Sequence, residues 1–145
     1  MHAGEVETDA ALVRQLLAAQ FPQWAGLPVL PVPSAGTDNA LYRLGDDLAV
    51  RLPRIHWAVG QAAKEDAWLP RLAPTLPLAV PTVLAHGQPG EGYPYPWAVY
   101  RWLGGANTAQ SPPEDMVAAA VELARFLRVL QRIDTNGGPR AADHG

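Results

Sequence analysis

The residues of this sequence that could bind a phosphate group lie in two neighbouring segments and in the helix-forming segment that follows. Residues 34–37 read SAGT; small residues let backbone amides approach an anion closely, and Ser34 and Thr37 add two hydroxyl donors. Arg51 stands in the apolar run 48–53 (LAVRLP), and Glu65 follows fourteen residues later. A turn of small residues that includes Gly36, a cation and an acid able to orient that cation together predict a site for the phosphates of a nucleotide.

Each of these features also has a structural explanation. A glycine-containing turn between strands is structural more often than functional, and neither a G-x-G-x-x-G pattern nor a Walker lysine is present. A charge in the middle of an apolar strand costs free energy unless a partner or a ligand compensates it, and Glu65 is the candidate partner of Arg51. Alternatively, Arg51 points to solvent from a half-buried strand, as Arg43 and Arg54 would. The sequence leaves both explanations open.

A third segment, residues 99–105 (VYRWLGG), passes from a strand into a glycine-rich connector just before a long helix. Such a connector is typical of a hinge between two lobes, where backbone groups of Arg101, Trp102 and Leu103 can pair with the edge of a purine. The structural alternative is an ordinary strand end with Trp97 and Trp102 in the core.

No catalytic or metal-binding residue is predicted in this sequence. Residues 86–88 (HGQ) resemble the start of a catalytic loop, but Gln88 cannot accept a proton as a carboxylate does, so we interpret them as a turn. Residues 143–145 (DHG) follow the last helix too closely to form the catalytic segment of a second lobe. The four histidines share no metal-ligand spacing, and the chain has no cysteine.

The elements that must position these residues form an α+β domain. Apolar residues at helical spacing alternate with short strand-like runs bounded by glycine and proline, and the loop 45–47 (GDD) suits a hairpin. Ser111, two prolines and Glu114 predict a capping box at the start of the last helix. The predicted strands are 27–33, 40–44, 48–52, 81–86 and 96–103, and the predicted helices are 9–20, 61–72 and 111–134.

Composition restricts the classes of function. The chain has 145 residues, of which 48% are hydrophobic and 17% charged, and no apolar stretch approaches the ~20 residues of a membrane span. Residues 1–7 lack the basic start and apolar core of a secretory signal, so a cytoplasmic location is expected. The net charge is -3 and the 11 basic residues are spread along the chain, which disfavours nucleic acid as a partner.

Taken together, these segments resemble the small lobe of the aminoglycoside phosphotransferase family, which has a protein-kinase-like fold. The resemblance rests on residues 34–54 (SAGTDNALYRLGDDLAVRLPR), 65–72 (EDAWLPRL) and 97–105 (WAVYRWLGG), together with shorter matches at 80–81 and 90–94. It covers most of residues 25–135. It implies a small lobe at 1–103, with a five-stranded antiparallel sheet, followed at 104–145 by a hinge and the first long helix of a second lobe.

The resemblance also implies a reaction and roles for residues. The reaction is transfer of the terminal phosphoryl group of ATP or GTP, with magnesium, to a hydroxyl of a small substrate. Ser34, Gly36 and Thr37 would cover the phosphates, Arg51 would take the place of the usual strand lysine, and Glu65 would orient it. Arg101, Trp102 and Leu103 would form the purine-binding hinge. The planar guanidinium of Arg51 is a departure from the compact ammonium of lysine.

A larger departure concerns catalysis. The catalytic Asp, the metal-binding Asn and the second metal-binding Asp of the family follow the long helix, and no H-x-D-x-x-x-x-N pattern occurs in residues 1–145. We therefore expect this chain to hold the nucleotide-binding lobe and to have negligible kinase activity alone. One alternative is a non-catalytic module that binds a nucleotide or a protein and self-associates through the exposed lobe interface. Another is an unrelated α+β domain that binds no nucleotide.

Overall fold

The computed structural model describes residues 5–33 and 36–138, which contain five strands and three α-helices. The predicted α+β class, with a helix before the sheet and another after the third strand, is confirmed. The strands are β1 (Val29–Pro31), β2 (Asn39–Leu44), β3 (Leu48–Pro53), β4 (Val83–Gly87) and β5 (Trp97–Arg101), and the helices are α1 (Ala10–Gln20), α2 (Gln61–Leu72) and α3 (Met116–Leu130). All neighbouring strands are antiparallel, in the order β1, β2, β3, β5, β4.

The chain divides into two compact units. The first contains the described residues up to Arg71 together with Val80–Gly105, and therefore the whole sheet. The second contains Leu72–Ala79 and the described residues from Ala106 onward, and therefore α3. The residues predicted to bind a nucleotide all belong to the first unit.

A tight hairpin joins β2 to β3 and fixes the register of Arg51. Leu44 pairs with Leu48 across the loop, and Gly45 adopts φ 59°, a left-handed conformation that glycine reaches at no steric cost. This register places Arg51 opposite Leu41 on one side and, in the neighbouring pair of strands, opposite Ala98. The predicted hairpin is confirmed, and it brings Arg51 to the centre of the sheet.

The first unit builds its main core on one face of the sheet. Helix α1, whose N-cap Asp9 accepts a hydrogen bond from the Leu12 N–H at 2.7 Å, contributes three fully buried side chains. Because side chains alternate along a strand, every second residue of the central strands faces this helix. The core consists of Val13, Leu16, Leu17, Val29, Tyr42, Leu44, Val50, Leu52, Tyr93, Trp97 and Val99.

The opposite face of the sheet is lined by smaller residues. Ala49 and Ala98 are buried there beside Tyr100, with Leu41, Ala62, Val83 and Trp102 packed around them. Ala49 pairs with Tyr100 across the two strands, and Arg51 pairs with Ala98. Two alanines in the middle of a sheet leave space above them, and this face carries the candidate site.

Strand β4 ends at Gly87, where a side chain would overlap the ring of Trp97. Trp97 is 1% exposed and donates a hydrogen bond from its Nε1 to the Gln88 carbonyl at 3.0 Å. The predicted strand 81–86 is thus right for His86, while the interpretation of residues 86–88 as a turn is wrong for His86 and Gly87, which are strand residues. The tryptophan needs a glycine on the facing strand, a requirement that is invisible without the strand register.

The predicted capping box at Ser111 and Glu114 is not formed. Helix α3 begins at Met116, and its N-cap is Asp115, whose Oδ1 accepts a hydrogen bond from the Ala118 N–H at 2.8 Å. Residues before a proline are pushed away from helical conformation, and 112–113 are both proline, so 111 and 112 stay outside the helix. The helix ends at Leu130, before the predicted end at 134.

Candidate functional site

The centre of the candidate site is a two-pronged ion pair between β3 and α2. The guanidinium of Arg51 donates from Nη1 to Glu65 Oε1 at 3.1 Å and from Nη2 to Glu65 Oε2 at 2.9 Å. The predicted partnership is confirmed, and the solvent-facing alternative is wrong for Arg51. Arg54 instead pairs with Glu5 at 3.0 Å, and Arg43 donates to the carbonyls of Gly45 and Asp46 in the hairpin loop.

Tyr100 completes this cluster from β5. Its hydroxyl donates to Glu65 Oε2 at 2.8 Å, and its ring lies 4.6 Å from the Arg51 guanidinium carbon. Burial raises the pKa of Tyr100 well above the ordinary tyrosine range, against the opposing effect of the Arg51 charge. The hydroxyl therefore stays protonated and keeps donating to Glu65, which fixes the carboxylate that holds Arg51.

The pair is largely shielded from water. The side chains of Arg51 and Glu65 are 21% and 17% exposed, respectively. Two of the five N–H donors of the guanidinium are bound by Glu65, which leaves three for another acceptor. An arginine held in this way presents a fixed, planar set of donors to an anion.

A cavity of about 360 Å³ opens beside this arginine. Its walls are mostly apolar, and the small side chain of Ala49 forms part of them. A flat apolar ring fits such a cavity, while an anionic group attached to that ring would meet Arg51. The lining residues are Leu41, Ala49, Arg51, Pro81, Tyr100, Arg101, Trp102 and Leu103.

The connector after β5 forms one wall of the cavity and has backbone groups available. The Arg101 N–H donates to the Thr82 carbonyl at 2.9 Å, and the Trp102 N–H donates to the Asp47 carbonyl at 2.8 Å. Within the part of the chain that the structure describes, no hydrogen bond engages the backbone of Leu103. Leu103 is therefore the predicted hinge residue whose N–H and carbonyl can pair with a ligand.

The structure brings five of the eight predicted site residues together. Arg51, Arg101, Trp102 and Leu103 line one cavity, and Glu65 holds Arg51. Trp102 lines the cavity, as the hinge prediction expects, and it also packs against the apolar cluster on this face of the sheet, as the structural alternative expects. Both interpretations therefore stay open for Trp102.

The small-residue turn lies elsewhere. Gly36 lines a second cavity of about 600 Å³, between residues 7–12 and β2, and Thr37 Oγ1 donates to Asp38 at 3.4 Å. Gly36 precedes Leu41, the register partner of Arg51, by five residues, which is up to about 16 Å of extended chain. Ser34 lies outside the described residues. The phosphate-covering role of these three residues stays a prediction.

The smaller cavity is the better candidate although the other one is larger. The larger cavity includes Arg54 but no residue of the connector after β5. The smaller cavity combines an oriented arginine, apolar walls and a backbone segment with unused hydrogen-bonding groups. These are the three kinds of group that a nucleotide contacts.

Four of the cavity residues, Leu41, Ala49, Pro81 and Tyr100, were not predicted as site residues from the sequence. Three of them share a face with Arg51. Ala49 lies two residues before Arg51 on β3, Leu41 pairs with Arg51, and Tyr100 pairs with Ala49. The alternation of β3 gives Ala49 this face once Arg51 is placed. Leu41 follows from the register of the predicted hairpin, whereas Tyr100 also requires the adjacency of β3 and β5, which the sequence did not provide.

A comparison with known protein families identifies the family of this chain. Residues 29–144 match the family model described as the phosphotransferase enzyme family, APH. The chain belongs to this phosphotransferase family. No curated protein matches the chain significantly in sequence.

Solved structures support the phosphotransferase assignment at the level of the fold. The GDP complex of wild-type aminoglycoside 2'-phosphotransferase-IIIa has a TM-score of 0.76 and 21% identity, covering 89% of this chain and 44% of that chain. The GDP and kanamycin complex of APH(2")-IIIa has a TM-score of 0.72 and 22% identity, covering 86% and 42%. ADP-bound APH(2'')-Ib has a TM-score of 0.55 and 17% identity, covering 88% and 41%. The protein-kinase-like small-lobe fold is thus confirmed, and the chain spans less than half the length of these phosphotransferases.

The described residues around the Arg51 cavity do not fit a magnesium ion. Magnesium prefers carboxylate and water oxygens in octahedral geometry, and the Glu65 carboxylate is already engaged by Arg51 and Tyr100. Across residues 5–33 and 36–138, no three His, Asp or Glu side chains converge into a possible metal site. The same residues contain no helix that is long and apolar enough to span a membrane.

Proposed function

We propose that this chain provides the nucleotide-binding lobe, residues 1–103, of an ATP- or GTP-dependent phosphotransferase that acts on a hydroxyl of a small molecule. The observation that carries the proposal is the Arg51 guanidinium, held by both oxygens of Glu65 at the edge of an apolar cavity. Family membership favours a phosphotransferase over the unrelated α+β domain that the sequence left open.

In this proposal the cavity binds both the purine and the phosphates of the nucleotide. The purine lies between Ala49 and the other apolar walls, and its edge pairs with the backbone of Leu103. The phosphates meet N–H donors of Arg51 that Glu65 leaves unused. The structural neighbours were solved with GDP, ADP and, in a streptomycin ternary complex, ATP, which supports a purine nucleotide without choosing between the bases.

The acceptor and the chemical step are proposed for the whole enzyme. The terminal phosphoryl group would pass from the nucleotide to a substrate hydroxyl, and the neighbours with kanamycin and streptomycin make aminoglycosides one such class of acceptor. Residues 1–145 contain no H-x-D-x-x-x-x-N pattern to supply a base and a metal-binding Asn. This chain alone should therefore bind nucleotide without turning it over.

Calorimetric titration of the 145-residue chain with ADP and with GDP tests the proposal. We expect at least one of them to bind with a Kd of about 1 mM or tighter. Arg51→Ala should weaken binding about tenfold or more, because it removes charge-assisted hydrogen bonds to the phosphates.

The matched control is Arg125→Ala, which removes an arginine from an exposed pair with Glu122 on α3. It should leave both affinities unchanged. The proposal fails if neither nucleotide binds, or if Arg51→Ala binds as tightly as the parent chain. A cytoplasmic location stays a prediction from the sequence.

A further inference from the structure

We propose that His86 is a positioning residue for the nucleotide site, because its bond to Asp66 holds α2 in the rotation that lets Glu65 reach Arg51. The effect on nucleotide affinity rests on the proposed function, whereas the effect on α2 does not. His86 lies on the edge strand β4, and its Nε2 is 2.9 Å from Asp66 Oδ2. Since a carboxylate accepts, the imidazole donates this bond.

Helix α2 has little apolar attachment to the sheet. No residue between Gln61 and Leu72 is buried, and one of the half-buried side chains, Ala62, packs on the alanine-lined face. A small cavity of about 60 Å³ lies beneath the start of the helix and is lined by Ala62 and Ala63 together with Arg51 and His86. With so little packed surface, polar contacts must contribute much of what orients this helix.

Two consecutive acidic residues provide those contacts. Glu65 reaches Arg51 on β3, and Asp66 reaches His86 on β4, two strands that are separated by β5 in the sheet. Consecutive residues of an α-helix point about 100° apart. The bonds of Glu65, to Arg51 on β3 and Tyr100 on β5, all act at one position of the helix. The bond of Asp66 acts at a second position, in a direction about 100° away and to a third strand, so that the two positions together fix the rotation of the helix.

The exposure of the His86–Asp66 pair predicts the effect of removing it. The His86 and Asp66 side chains are 40% and 50% exposed, so their pair adds little to global stability. The Arg51–Glu65 pair is less exposed and lies at the nucleotide cavity. Loss of the outer pair should therefore loosen α2 and its hold on Arg51 while leaving the sheet folded.

The test compares His86→Ala with the conservative variant His86→Gln, whose amide Nε2 can still donate to Asp66. Hydrogen exchange of the α2 amides is expected to speed up about threefold or more in His86→Ala and to stay near the parent rate in His86→Gln. The matched control is His56→Ala, which removes an exposed histidine outside α2. It should leave the α2 amides unchanged, and the urea midpoint should be the same in all of these chains.

Nucleotide affinity gives the second readout. His86→Ala should weaken ADP or GDP binding about threefold, and it should have no further effect in a Glu65→Gln background, because His86 acts through Glu65. The inference is overturned if exchange in α2 is unchanged by His86→Ala, if His86→Gln behaves like His86→Ala, or if the loss of affinity persists without Glu65. If the parent chain binds no nucleotide, the proposed function fails, and exchange in α2 still decides the role of His86.

Discussion

At the scale of single residues, Glu65 connects the parts of the candidate site. Its carboxylate accepts three hydrogen bonds, two from Arg51 and one from Tyr100. A lone buried carboxylate or guanidinium would be costly, but here each compensates the other and the tyrosine hydroxyl satisfies a further lone pair. Arg51 alone therefore does not define the site; the carboxylate that sets its orientation is equally necessary.

The Tyr100 hydroxyl provides a measurable part of this arrangement. Tyr100→Phe removes one donor from a partly buried carboxylate, so the free energy of unfolding should fall by about 0.5–1.5 kcal/mol. Urea denaturation followed by circular dichroism measures the change. The control is Tyr95→Phe: Tyr95 packs edge-on against Tyr93, and among the described residues its hydroxyl has no hydrogen-bond partner. Equal losses in the two variants would contradict the role given to Tyr100.

At the scale of elements, the closeness of β4 to β5 depends on a glycine. The Trp97 ring occupies the space in which a side chain at Gly87 would lie. Trp97 is also one of the largest fully buried side chains of the core. The pairing of β4 with β5, which brings His86 close to Asp66, therefore requires that residue 87 has no side chain.

Gly87→Ala tests this packing. Because the added methyl group would overlap a fully buried ring, we expect a loss of about 2 kcal/mol or more in the free energy of unfolding. Thermal and urea denaturation measure it. Gly104→Ala is the control, since a methyl group there meets no other atom. A midpoint for Gly87→Ala that matches the Gly104→Ala midpoint would show that the strands can separate without cost.

The elements also show how far the sequence could predict the site. The positions of the strands, the hairpin and α2 followed from apolar spacing and turn residues. They made Glu65 the candidate partner of Arg51 but left open a solvent-facing Arg51. The adjacency of β3 and β5 was not predictable, so Tyr100 was missed as a cavity residue. The start of α3 was misplaced because Ser111 and Glu114 match a capping box, whereas the two prolines between them exclude 111 and 112 from the helix.

At the scale of the whole molecule, the first unit uses the two faces of its sheet differently. One face is filled by α1 and supplies the main core, while the alanine-lined face keeps the cavity. The predicted boundary between lobes at residues 103 and 104 stays a prediction. This difference between the two faces fits a lobe in which one face of the sheet carries the stabilising core and the other face binds a ligand.

Stability at high pH follows from two buried tyrosines. Burial raises the pKa of both Tyr93 and Tyr100 above the ordinary value of about 10, and the Tyr93 hydroxyl donates to the Pro53 carbonyl at 2.6 Å. The folded state keeps their protons while the unfolded chain releases them near pH 10. Their contribution is therefore complete below pH 10 and is lost as the pH rises above it, by up to about 1.4 kcal/mol per pH unit for each tyrosine.

Urea denaturation at pH 8, 9, 10 and 11 measures this loss. The free energy of unfolding should fall more steeply above pH 10 in the parent chain than in Tyr93→Phe, which has no hydroxyl to ionise at that position. Parallel curves for the two chains would show that Tyr93 ionises as easily in the folded state as in the unfolded one.

The measurement that tests the central claim most directly is nuclear magnetic resonance of the nitrogen-15-labelled chain during titration with ADP and GDP. A nucleotide bound as proposed should shift the amide signals of Ala49, Arg51 and Leu103 together, with smaller changes in α2 near Glu65. Shifts confined to the second cavity, around Gly36 and residues 7–12, would place the ligand elsewhere. That result, or the absence of any shift, would contradict the claim that this face of the sheet is a nucleotide site.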